Sequence, residues 1–141
     1  MATAAEAELI LKLYDLRRDE TLRKARRFMT FDFNPKTLEE LRAVSRDKSS
    51  DKNVFWRQVT TYWEMAASLV VSGALDVDLY LASNSEGILT YAKYHHFHAE
   101  TEKESGNPFM KQTATLIEKF PAAKARYEEL LKRFALVEAP A

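Results

Sequence analysis

The sequence predicts an all-α fold, an antiparallel bundle of four main helices plus short helices around a central helix over residues 51–73. Three observations predict it. The stretch DKNVFWRQVTTYWEMAASLVVSG, from Asp51 to Gly73, is apolar around most of its circumference: Phe55, Trp56, Val59, Tyr62, Trp63, Ala66, Leu69 and Val70 recur at three- and four-residue steps, and Val54, Met65, Ala67 and Val71 widen the arc. With only 3 Gly and 4 Pro in 141 residues, the chain has too few turn formers for a sandwich. Helix-start pairs (Thr37 with Glu40, Ser83 with Glu86) and helix-stop glycines (Gly73, Gly106) punctuate it at intervals that suit helices.

Taken in order, residues 4–29 are good helix formers with Ile10, Leu13, Ala25 and Phe28 on one face, flanked by Leu9, Leu11, Tyr14, Leu16 and Leu22, and form the first long helix. RRDET interrupts the apolar stripe, so Arg17 leans toward the core or snorkels to its edge. FDFNP is a connector, because a residue before proline is pushed out of helical geometry. Thr37 opens a short helix through about Asp47, and the polar run SRDKSSDKN leads into the central helix, capped by Ser50 or Asp51. Asp76 caps a short helix carrying Leu79, Tyr80 and Leu81. A long helix then spans about 84–104, and two amphipathic helices follow over about 108–119 and 121–135. The expected unit is one domain over 1–141, ordered from about 4 to 136, with the ends fraying.

Composition bounds the function. Lysine and arginine number 21 and so do aspartate and glutamate, so no net field draws the molecule to nucleic acid or anionic lipid. The basic run Arg23, Lys24, Arg26, Arg27 resembles a phosphate-binding patch, but Asp19 and Glu20 precede it and no recognition motif accompanies it, so no nucleic-acid partner is expected. The longest apolar run, Met65 to Leu75, is about half the roughly 20 residues a bilayer needs, so no membrane span is expected, and the N-terminus lacks a signal-peptide pattern. The absence of cysteine removes disulfides and thiolate chemistry and suits a cytoplasmic protein. No phosphate-cradling glycine loop and no nucleophile elbow occurs, so neither a cofactor nor an enzymatic activity is expected.

Two constellations remain as candidate sites. On the central helix Arg57, Thr61, Glu64, Ser68 and Ser72 form a narrow polar line, and Glu64 between Trp63 and Met65 needs a cation or donors if it is desolvated. The preferred reading has Arg17 snorkel to the edge and pair with a surface acid; if it instead reaches Glu64 the two form a structural clamp, and if Glu64 faces a cavity, Tyr62, Glu64, Arg57 and Arg17 line a binding pocket. The second constellation holds all three histidines: on one continuous helix His95, His98 and Glu102 share a face and could supply part of a metal site, while His96 points away. No Glu-x-x-His or HEXXH motif accompanies them, and two histidines bonded at the rim of the core is the preferred reading.

The run YWEMAASLVVSGALDVDLYL, together with the charged first helix LYDLRRDETLRKARRF, resembles an uncharacterised family of small bacterial all-helical proteins built on a domain of unknown function, over about residues 9–135. Some members carry an N-terminal membrane segment that has no counterpart here. The resemblance implies an all-helical fold and assigns no activity and no catalytic residue. The expected role is therefore a non-enzymatic interaction or regulatory protein with a homo-oligomeric or protein partner, with a small-molecule- or metal-binding bundle as the alternative.

Overall fold

The computed structural model describes residues 1–138, with side chains through residue 135, and these are helical wherever they are regular. The elements are α1 (Ala4–Arg17), α2 (Glu20–Arg27), a π-helical turn (Phe28–Asp32), α3 (Leu38–Ser45), α4 (Asp51–Val71), α5 (Val77–Ser83), α6 (Glu86–Tyr94), α7 (Phe97–Ser105), α8 (Lys111–Lys119) and α9 (Pro121–Glu138). Among the described residues no helix is long and apolar enough to cross a membrane.

Local chemistry sets most of these ends. Thr3 and Glu6 close a capping box at the start of α1, Thr37 accepts from the Glu40 amide at α3, Ser50 from Lys52 at α4 and Asp76 from Leu79 at α5. Gly73 and Gly106 take φ of 87° and 75° beyond α4 and α7, the left-handed geometry that a side chain disfavours.

Two expected helices are each divided. The segment over 4–29 breaks at Arg18, because Asp19 turns its side chain onto the Leu22 amide and so caps a new helix, α2, in place of continuing α1. The segment over 84–104 breaks at His95 and His96, between α6 and α7. The expected Ser83–Glu86 capping box does not form: Ser83 Oγ donates back to Leu79 O within α5, and Glu86 reaches across to Arg26. Helix α9 continues through Glu138, past the expected end near 135 and into the stretch from Val137 expected to fray; the rest of that stretch, 139–141, lies outside the described residues.

α4 is the hub: it packs against α2, α3, α6, α8 and the π-helical turn. Its inner face, Trp56, Val59, Tyr62, Trp63, Ala66, Ala67 and Val70, is buried. Gly87 lets α6 approach closely, since a Cβ there would lie 3.0 Å from the fully buried Trp63 ring and 3.1 Å from the Tyr80 hydroxyl. Phe33, Trp56, Tyr94, Phe109 and Tyr91 form a continuous aromatic cluster with neighbouring ring centroids 5.4–6.3 Å apart. The carbonyls that the π-helical turn leaves open at its end are met by α6: Lys93 Nζ donates to Met29, Thr30 and Phe33 carbonyls at 2.7, 3.1 and 2.6 Å, and the Tyr94 hydroxyl bonds Met29 O at 2.6 Å.

Candidate functional site

The two acids and bases expected to meet on the central helix part company. The Arg17–Glu64 clamp does not form. Tyr62 and Glu64 lie on different faces of α4, as residues two apart on a helix must. The Arg17 guanidinium follows Tyr62: its Nη1 donates to the Tyr62 hydroxyl at 3.2 Å and to Asn84 Oδ1, while the Tyr62 hydroxyl donates to Leu13 O at 2.6 Å. Burial pushes the Tyr62 phenol up, and the adjacent Arg17 charge pulls against it. Glu64 turns the other way and caps α8. Its carboxylate accepts from the Gln112 and Thr113 amides at 2.8 and 2.9 Å and from the Thr113 hydroxyl at 2.8 Å. Donors rather than a cation satisfy it, supplied by the helix end where a negative charge is favoured. Arg57 sits on the exposed side of α4 beside Val54, Gln58 and Thr61. Glu64, Arg17 and Arg57 line three different concavities.

The histidine line is likewise divided, because the turn at 95–96 ends the helical register that placed His95, His98 and Glu102 together. His95 Nδ1 lies 2.8 Å from Ala92 O and His98 Nδ1 lies 2.7 Å from Phe109 O, so each ring is fixed to a backbone carbonyl, and Glu102 is exposed. Among the described residues no group of three or more histidine and carboxylate side chains is placed to hold a metal ion.

A wider concavity than those beside Glu64 or Arg57 lies elsewhere. A groove of about 830 Å³ runs between α2, the π-helical turn, α6 and α9, lined by the cations Arg23, Lys24, Arg26, Arg27, Arg126 and Arg133 against the carboxylates of Glu20 and Glu86. Phe31, Leu89 and Leu130 supply its apolar surface, and the Phe31 ring is 70% exposed. Arg26 is engaged at its floor by a bidentate pair with Glu86 at 3.1 and 2.6 Å, which holds its guanidinium above the ordinary arginine range. Arg126 and Arg133 share Glu129 on α9. Arg23 and Arg27 make no side-chain hydrogen bond or ion pair among the described residues, which leaves their charges to solvent or to a ligand.

Sequence reasoning singles out the basic run on α2, but the acids before it, the lack of a recognition motif and the net charge of zero argue against a phosphate-binding patch there. The signal it missed was convergence: Arg126 and Arg133 stand some hundred residues away in sequence, spaced at seven, two turns of one helix, and only the packing of α9 on α6 brings them to the same groove.

No curated protein and no solved structure matches the chain. A family model does: the one described as a domain of unknown function, DUF4760, matches residues 2–120, which takes in every helix from α1 to α8. The all-helical chain with its central YWE helix therefore belongs to the DUF4760 family.

Proposed function

We propose that the protein is a non-enzymatic interaction module whose groove between α2, α6 and α9 docks a segment of a partner protein presenting acidic and apolar side chains together. One observation carries this reading: six cations and two carboxylates surround an apolar strip of Phe31, Leu89 and Leu130 in a single open groove, on a molecule whose net charge is zero. A surplus of charge at one place on a neutral protein favours ligands of opposite sign locally without a long-range field. The exposed phenylalanine argues for a protein segment over a nucleic acid, since an amphipathic helix answers both the apolar strip and the charge, whereas a phosphate backbone answers only the charge.

The test uses fluorescence anisotropy with a designed helical peptide of alternating leucine and glutamate faces. Binding is expected, weakened roughly tenfold or more by the double variant Arg27→Glu/Arg133→Glu, as loss of charge-assisted contacts requires. Binding of polyglutamate or single-stranded DNA as tight as that of the amphipathic peptide would overturn the protein-segment reading in favour of plain charge neutralisation. A dimer in native mass measurement that the same double variant dissociates would give the groove to a second copy instead.

A further inference from the structure

On the other side of Arg23 and Arg26 from the groove lies a separate cup of about 390 Å³, lined by Tyr14, Arg17, Arg18, Arg23 and Arg26. Its lining holds four guanidiniums and no carboxylate. We infer that this cup is a binding site for a phosphoryl group, whether on a soluble phosphorylated ligand or a lipid headgroup.

The geometry around Arg17 carries the inference. Its guanidinium is half-buried, 5.6 Å from the Tyr14 ring centroid and 5.7 Å from that of Trp63, and its acceptors, the Tyr62 hydroxyl and Asn84 Oδ1, are both neutral. Among the described residues only its Nη1 donates, so the rest of the fork keeps its donors for another acceptor. A half-buried cation is often met by a counter-charge; here neutral dipoles and ring faces hold the guanidinium in place, and among the described residues no carboxylate pairs with it. Arg18 stands 6.0 Å from the same Tyr14 ring, so the two guanidiniums share one aromatic support.

The end of α1 favours cations at Arg17 and Arg18, since its last carbonyls carry partial negative charge. That explains two of the four and no more. Arg23 and Arg26 come from α2, beyond the Arg18–Asp19 break, and line the same cup as the two arginines at the end of α1. Arg26 is the one member with a carboxylate, Glu86, whose pair orients the fork from behind. Three guanidiniums without a carboxylate partner, with Arg26 beside them, match the several oxygens of a phosphoryl dianion better than one carboxylate, which a single guanidinium saturates.

The inference stands apart from the groove, because Arg17 and Arg18 line the cup alone while Arg27 and Arg133 line the groove alone. Calorimetric titration with inorganic pyrophosphate at low ionic strength tests it. The parent is expected to bind. Arg18→Glu, an exposed position, should weaken binding roughly tenfold or more while leaving the melting temperature near the parent's, and Arg17→Lys should weaken it too, because a point charge does not replace a planar fork. Arg27→Glu/Arg133→Glu should bind pyrophosphate like the parent even where it loses the amphipathic peptide. Cosedimentation with phosphatidic acid vesicles that Arg18→Glu abolishes would assign the phosphoryl group to a lipid headgroup; pyrophosphate binding without it assigns a soluble ligand. No binding by the parent, equal binding by folded Arg18→Glu, or citrate bound as tightly as pyrophosphate would each overturn the site.

Discussion

Glu64 shows what one carboxylate on a hydrophobic helix does. It stands next to Trp63, buried to 1% exposure, yet its own chain reaches the rim of α4 where the N-terminus of α8 arrives with unpaired amides. The side chain thus works as a cap supplied from another helix, tying α8 to the hub at the point where Met110 takes the left-handed backbone geometry (φ 49°) that begins α8. Glu64→Gln keeps one acceptor and loses both the second and the charge opposite the helix end. The variant should lose about 1 kcal/mol of stability, read as a lowered denaturant midpoint with unchanged slope. An unchanged midpoint would remove the cap from the account. Sequence reading identified Glu64 as a residue that must be met by donors or a cation, because burial demands it; which of the two was illegible, since the donors come from 48 residues away.

At the scale of elements, apolar periodicity and capping residues point to each α-helical segment but miss the π-helical turn, which takes in Phe31 and Asp32 of the expected connector, and do not show where two of the helices divide. In residues 4–29 RRDET interrupts the apolar stripe, but the stripe resumes in phase at Ala25 and Phe28, so the interruption alone does not mark a break; the break rests on one local competition, the Asp19 side chain taking the Leu22 amide. The turn at His95 and His96 has no such signal, as Tyr94 and Phe97 on either side are both buried. That single turn dissolves the histidine and glutamate line, which depended on an unbroken 3.6-residue period. The π-helical turn carries an electrostatic consequence. Lys93 caps its carbonyls from within the protein, and burial pushes the ammonium down to about 8, against a smaller opposing pull from Asp32. The unfolded chain holds that proton up to about pH 10.4. Between about 8 and 10.4 the unfolded state therefore binds more protons, and Lys93 contributes a stability that rises with pH across this window. The melting temperature of the parent minus that of Lys93→Met should grow as pH is raised through it; a flat or falling difference would sink this account.

For the whole molecule, the net charge of zero conceals a segregation that only folding produces: arginines of α1, α2 and α9 gather around two adjoining concavities that share Arg23 and Arg26. The α4 hub decides how the chain unfolds. Both tryptophans lie on α4, Trp56 beside Phe109 and Phe33 and Trp63 against Tyr62, Gly87 and the Arg17 guanidinium, so their emission reports the core directly. Helices α2, α3 and α8 each pack chiefly on α4, while α6 rests mainly on α9 and meets α4 along a shorter contact. α9 in turn rests on α5, α6 and α8, so it has no core of its own to retain. Helix loss and tryptophan exposure should accordingly follow one denaturant transition with the same midpoint, in far-ultraviolet dichroism and in fluorescence alike. Dichroism lagging behind fluorescence would mean that a group of helices survives without α4, and would replace the hub by two cores.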